Sequence, residues 1–301
     1  MPRSKKPIHF EQLTEPDAFE RLEFFARQFA QGRYNCLVFV GPPGRLKSSI
    51  IERTVKGQAH IVSGHSTPFE VFCELQQHSD ELIVIDDSDG LYAESTGQRL
   101  LKNITNPKKP TSVHWTSDAP AKAGLQKIFK TSSKVCIIDN AWNVQNEHIE
   151  ALEDRSRLFL FDPPPAAVHK QMANEEWFHD TEIYDFIGAH LFWIKEEGSA
   201  AKGLSVRVYV KALEAKEAGE DWREYILRQY VKGPDLDLLV IEADPFFNGK
   251  PVEDKCQAWM TRTGKARSTY FDHKRSLLAR LDSSDTPLLG RWTLEKDGGS
   301  E

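Results

Sequence analysis

Short apolar runs recur through the first half of the chain, each closed by polar residues: "CLVFVG", "AHIVSG", "LIVIDDSD", "SVHWTSD", "KVCIIDN" and "RLFLFDPPP". Runs of this length, apolar almost throughout, fit strands buried on both faces. Helical stretches lie between and before them. "EPDAFERLEFFARQFAQG" puts Phe19, Leu22, Phe25, Ala26 and Phe29 on one face, with Gly32 as the stop. The alternation predicts an α/β fold, a mostly parallel sheet with helices on both faces. After Pro165 the pattern turns helical. "DTEIYDFIGAHLFWI" repeats Ile183, Phe186, Ile187, His190, Leu191 and Ile194 at helical spacing, and "GLSVRVYVKALEAKEAG" and "DWREYILRQYV" continue it. "KGPDLD" breaks the pattern near residue 234, a basic helical pair follows, and the tail "EKDGGSE" is expected to be disordered. The divisions expected are a helical segment at 1–33, an α/β core at 34–165, a helical region at 166–232 and a C-terminal segment at 233–301.

Composition narrows the classes. The 301 residues are 40% hydrophobic and 28% charged, as in ordinary soluble proteins. A net charge of −6 excludes a protein that coats nucleic acid over its whole surface, so any basic surface is local. Cys36, Cys73, Cys136 and Cys256 are far apart, with no C-x-x-C, so reduced and mostly buried thiols are expected. No apolar run reaches the roughly 18 residues of a membrane span. "MPRSKKPIHF" is basic without an apolar signal core, and a cytoplasmic protein is expected. The ten histidines form no H-x-x-x-H or H-E-x-x-H pattern, so no metal beyond Mg²⁺ is expected.

The first apolar run leads into "GPPGRLKSS": Gly41, Pro42, Pro43, Gly44, Arg45, Leu46, Lys47, Ser48 and Ser49. This is close to the phosphate-binding pattern G-x-x-x-x-G-K-[ST], with Leu46 at the second glycine. Such loops work because successive backbone N–H groups and a helix N-terminus point at phosphate. Lys47 adds a cation and the Ser48 hydroxyl helps to hold Mg²⁺. The context, strand then loop then helix, is right. Leu46 falls near the helix start, where its backbone is expected to be allowed and its cost to be crowding of the ligand. A second strand, "LIVIDD", ends in Asp86 and Asp87, and its acid at the sheet's C-terminal edge is suited to Mg²⁺.

With both elements in order, the chain resembles the AAA+ ATPases over roughly Tyr34 to Val231. "GPPGRLKS" looks like their nucleotide loop and "LIVIDD" like their Walker B strand. "KVCIIDN" looks like the sensor-1 strand and puts Asn140 there, with Ser117 after "SVHWT" as a rival. "ALEDRSRLFLFDPPP" looks like the arginine-finger segment and puts Arg155 at the finger, with Arg157 as a rival. "GLSVRVYVKAL" looks like the lid helix and puts Arg207 at sensor 2. The resemblance implies a P-loop core of three α/β/α layers, a helical lid, ATP with Mg²⁺ on Ser48 and Asp86, and homo-oligomers with the finger in trans. It implies catalytic roles for Asp87, Asn140, Arg155 and Arg207. Where the family has Asp-Glu, this chain has Asp86-Asp87, one methylene shorter. Misplacing a catalytic group by about 1 Å can cost on the order of 10²-fold in rate, so slow turnover is expected. Lys108 and Lys109 fall on a loop between strands that faces a central pore in some relatives; a plain exposed loop is the simpler expectation.

The C-terminal segment adds a different signal. "EDKCQAWMTRTGKARSTYFDHKRSLLARL" reads as helix, glycine-containing turn, longer helix, and Lys255 to Leu281 holds seven Lys/Arg against one Asp. It resembles helix-turn-helix modules of bacterial and phage regulators, which implies DNA binding through Lys265, Arg267, Ser268, Thr269, His273, Lys274 and Arg275. The alternative is a basic solvated helix pair. Two functions follow: an oligomeric ATPase acting on DNA in replication, transposition or a mobile element, with a phage or mobile-element partner protein, or a nucleotide-gated DNA-binding switch with little hydrolysis.

Overall fold

The computed structural model describes residues 9–64, 67–87, 91, 95–142, 152–191 and 203–282. Its strands are β1 (Glu11–Leu13), β2 (Cys36–Val40), β3 (Ala59–Val62), β4 (Leu82–Asp86), β5 (Thr111–His114), β6 (Ile128–Thr131), β7 (Val135–Asp139) and β8 (Arg157–Phe161). The helices between them are α1 (Ala18–Ala30), α2 (Lys47–Val55), α3 (Pro68–Gln77), α4 (Ser95–Ile104) and the single turn α5 (Ala119–Lys122).

Six strands pair in the order β1-β8-β2-β7-β4-β3, all parallel. β2 and β7 lie in the middle and are buried at every position, which is why their sequences are apolar without alternation. Val38, Val40, Ile83, Ile85, Val135, Ile137 and Leu158 turn to one face, against Val71, Phe72 and Leu75 of α3 and Leu100, Leu101 and Ile104 of α4. On the other face Phe159 stacks on Phe39 at 4.8 Å and meets Phe25 of α1 at 4.5 Å, while Phe161 meets Phe19 edge-on at 5.3 Å. Three layers result, α/β/α, with α1 and α2 side by side on the second face.

Two expectations are corrected here. The N-terminal segment is not helical alone: Glu11–Leu13 joins the main sheet beside β8, with Leu13 opposite Phe161. "SVHWTSD" does not join that sheet. Thr111–His114 forms a separate antiparallel pair with Ile128–Thr131, and the two strands alternate buried and exposed positions.

The chain divides into two compact units at Pro163 and Pro164. Within the second lie α6 (Pro165–Met172), α7 (Thr181–Ala189), α8 (Val206–Glu217), α9 (Trp222–Arg228), α10 (Pro234–Ala243), α11 (Val252–Thr263) and α12 (Arg267–Asp282). Helices α10, α11 and α12 pack on one another around buried Leu238, Cys256, Trp259, Tyr270 and Leu277. The apolar run at 192–194 and the tail "EKDGGSE" lie outside the described residues. No helix among the described residues is long and apolar enough to cross a membrane.

Candidate functional site

The phosphate-loop sequence leaves β2 at the C-terminal edge of the sheet. Gly41 N–H donates to Asp139 O at 3.2 Å, fixing the loop to β7. A Cβ at Gly41 would stand 1.9 Å from the Phe161 carbonyl oxygen, so only glycine fits. Gly44 has φ of 72°, the left-handed region where glycine is unstrained. Leu46 has φ of 64° and ψ of 11° at the N-cap of α2. The second glycine of the phosphate pattern is therefore replaced at a left-handed position. This corrects the sequence reading: the cost of Leu46 is conformational, on the order of 1–2 kcal/mol for a side chain in that region. Its side chain is 7% exposed, so burial offsets the strain.

Lys47 starts α2 and turns back over the loop. Its Nζ donates to Gly41 O at 2.6 Å and Pro42 O at 2.8 Å. Burial pushes its ammonium from 10.5 down to about 8, opposed chiefly by the Asp86 carboxylate. Ser48 hydrogen-bonds the Asp86 carboxylate, whose pKa burial raises while that bond lowers it. Burial, and the Asp86 charge after it, likewise raises Glu52 on α2. The donors gathered here are carboxylate and hydroxyl oxygens, which suit Mg²⁺.

Asp87 follows β4 with φ of 62°. Short acids tolerate that region better than most side chains. Its carboxylate accepts from Asn140 Nδ2 at 3.1 Å, from the neighbouring strand end. Ser117, the rival to Asn140, lies in the connection between β5 and β6, accepting from Trp115 Nε1 at 2.9 Å and from Ala119 N–H at 3.3 Å. Asp139 was missed by sequence reasoning. It is buried, accepts Asn140 N–H at 2.6 Å and holds Lys47 toward its charged form. Its signal was present as the last acid of "KVCIID". Arg45 was named only as a loop residue, yet it is buried with Nε 3.5 Å from Asp162 Oδ1, linking the loop to the end of β8.

Arg155 Nη1 donates to Lys102 O at 2.8 Å near the end of α4. Its rival Arg157 is committed within its own chain. It forms a two-pronged pair with Glu11 at 2.8 and 2.7 Å, donates to Tyr34 and lies over the Phe25 ring at 4.7 Å. Lys109 folds back to donate to Ile104 O at 2.6 Å, while Lys108 is exposed. Arg207 is exposed on the first turn of α8, in the second unit.

The C-terminal pair has the expected helix, turn and helix, with Gly264 at φ of 69° ending α11. Much of its charge is paired with acids. Lys255 pairs with Glu242, Arg262 with Glu224 and Asp237, Arg267 with Glu253 and Arg275 with Asp272. His273 Nδ1 lies 2.6 Å from Asp235 Oδ1, beside the Trp259 ring. Lys274 is 4% exposed and is corrected as a DNA contact, because it lies inside the three-helix cluster. Lys265, Arg267, Ser268 and Arg275 are exposed, and Thr269 is half-buried.

No protein-family model matches the chain, and no curated protein matches it. Among solved structures it is similar to a point mutant of RuvB from Thermotoga maritima, at 13% identity over 87% of each chain with a TM-score of 0.42. It is similar to Drosophila ORC bound to DNA, at 14% identity over 95% of this chain and 78% of the other, with a TM-score of 0.38. A third similar structure is C. elegans PCH-2, at 12% identity over 87% of this chain and 69% of the other, with a TM-score of 0.30.

Proposed function

We propose that the chain binds ATP with Mg²⁺ on the 41–49 loop and hydrolyses it slowly. The observation that carries this is the Ser48 hydroxyl on the Asp86 carboxylate beside buried Lys47, at the C-terminal edge of the central strands. Phosphoryl transfer asks a protein for positioning and charge stabilisation. Lys47 would exchange its two loop carbonyls for β- and γ-phosphate oxygens. Ser48 and Asp86 would hold Mg²⁺, which when bound neutralises phosphate charge. Asp87 would orient the attacking water, held at its angle by Asn140. Arg155 would serve the site of a neighbouring subunit, and Arg207 would report the nucleotide from the lid. Lys47→Ala is expected to abolish ATP binding, since charge-assisted phosphate contacts are lost. Equal ATP affinity in wild type and Lys47→Ala by titration calorimetry would end the nucleotide reading.

Action on DNA and homo-oligomeric assembly belong to the same proposal. Exposed Lys265 and Arg267 beside the Gly264 turn, with exposed Arg275 farther along α12, support the first. The acids that pair with this segment make it a weaker DNA surface than its composition implied. Strained Leu46 and short Asp87 favour the second reading, a nucleotide-gated switch. Phosphate release with and without DNA separates the two.

A further inference from the structure

A cluster away from the phosphate loop has no role in this chemistry. His60 stands on β3, at one edge of the six-stranded sheet, and Glu74 and His78 stand one turn apart at the end of α3. Their ligating atoms all lie within 4.8 Å of one another, and all three residues are half-buried. His60 Nε2 is 2.8 Å from Glu74 Oε2, and His78 Nε2 is 3.8 Å from the same oxygen. The two imidazole rings stack at 3.6 Å with planes 12° apart.

We infer that His60, Glu74 and His78 form a site for a divalent transition metal of the Zn²⁺ class. The support for His78 decides it. Its Nδ1 lies 2.9 Å from Glu81 Oε1, and a carboxylate only accepts, so Nδ1 carries the proton. With Nδ1 held by Glu81, Nε2 is the ring nitrogen that faces the Glu74 carboxylate, 3.8 Å away, and in the neutral tautomer its lone pair and that oxygen are two donors for one cation. A carboxylate behind a ligating histidine is the usual outer support of a metal site, fixing the tautomer and raising basicity. Two imidazoles and one carboxylate suit Zn²⁺, whereas Mg²⁺ takes oxygen donors. Three protein ligands leave a fourth position for water.

The arrangement needs small changes to close. Ligands held 2.0–2.1 Å from a tetrahedral ion lie about 3.3 Å from one another. His60 Nε2, which donates to Glu74 without metal, loses that proton to water as its ring takes the Nδ1–H tautomer, and the stacked rings splay so that both lone pairs meet the ion. The metal would tie an edge strand to the helix behind it.

The test is a titration of untagged full-length protein with Co²⁺ as the only transition metal, in excess Mg²⁺, followed by visible absorption and by ring-proton NMR of the histidines. One Co²⁺ per chain is expected, displaced by Zn²⁺ and untouched by Mg²⁺, with His60 and His78 resonances broadened. His60→Ala and His78→Ala are each expected to lose the saturable phase, and Glu81→Gln to weaken it 10- to 100-fold. His78→Asn, checked for folding by circular dichroism, stands in where an alanine variant unfolds. Absence of saturable binding in wild type, or equal binding in a folded His78 variant, overturns the site and leaves a hydrogen-bonded His–Glu pair.

Discussion

Asn140 Nδ2 donates to Asp87 Oδ1 across 3.1 Å, joining the ends of two adjacent strands at the edge where the phosphate loop begins. A hydrogen bond to a charged group is worth about 1.5–3 kcal/mol, roughly 10- to 150-fold if it is realised in the transition state. Asn140→Ala is therefore expected to lower kcat by that range and leave ATP affinity within a factor of two or so. Asp87→Asn is expected to bind ATP and to lose turnover. Equal kcat in wild type and Asn140→Ala by steady-state phosphate release would remove Asn140 from the site.

Lys47 gives a pH signature. Its pKa is about 8 against 10.5 when unperturbed, because burial disfavours the charge. Between those values the unfolded chain binds more protons, so this group makes the fold more stable as pH rises through that window and least favoured below it. Polyphosphate needs the charged form. ATP affinity is expected to be flat below about pH 7 and to weaken about tenfold from pH 7 to 9, most of it above pH 8. In Lys47→Arg the cation persists across the range, so whatever affinity remains should lose this fall. Calorimetric titrations at several pH values check both outcomes.

Leu46 separates backbone from packing. Leu46→Gly relieves about 1–2 kcal/mol of left-handed strain. It also removes a buried side chain worth about 1.5–3 kcal/mol and loosens the unfolded chain by another 0.5–1 kcal/mol or so. Packing wins, and the variant is expected to be less stable by roughly 1 kcal/mol in urea unfolding. ATP affinity is expected to hold or tighten, because a relaxed loop orients its N–H groups at no strain. A variant both more stable and weaker for ATP would contradict this balance.

Arg155 tests assembly. Arg155→Ala is expected to keep ATP affinity, to lose turnover and to cost about 1 kcal/mol of stability through the lost bond to Lys102 O. Mixed with Asp87→Asn, it should regain activity at interfaces that pair an intact Arg155 with an intact Asp87. Sedimentation of wild type as a monomer, with no rescue at any ratio, rules out a role in trans.

The DNA surface is testable by salt. Three exposed cations, Lys265, Arg267 and Arg275, give a log–log slope of roughly −2.7 at about −0.9 for each phosphate neutralised. Glu253→Gln frees Arg267 from its pair and is expected to tighten DNA binding several-fold. Lys265→Glu with Arg275→Glu should remove most of it, whereas Lys274→Met should leave it unchanged. Fluorescence anisotropy across salt concentrations reads all three; indifference to the double reversal would make the segment structural.

Some of this was legible because the physics is local. β2, β4, β7 and β8 are apolar runs that only a covered sheet accommodates, and "GPPG" with Lys47 declares a loop by residue type. β1 was not legible, since Glu-Gln-Leu becomes a strand only by pairing with residues 159–161. Alternation in Thr111–His114 marked a strand wet on one face, and a parallel buried strand was the wrong expectation. Lys274 lies four residues after Tyr270 and three before Leu277, both fully buried, so the helical period already placed it inside. Glu74 and His78 are one helical turn apart, but His60 comes from a strand and no spacing rule joins it to them. The left-handed φ of Leu46 is a loop property that the adjoining helix pattern concealed.

Gly41 resting on the Phe161 carbonyl has a consequence for how the protein is made. The loop occurs early in the chain, yet the wall it leans on is synthesised 120 residues later, from position 41 to position 161. At about 5–20 residues per second that delay is roughly 6–24 s on the ribosome. β1 waits for the same strand, since Leu13 pairs with Phe161. The nascent chain therefore carries a phosphate-loop sequence with no finished cradle, and the strand that completes it closes the sheet in the same step.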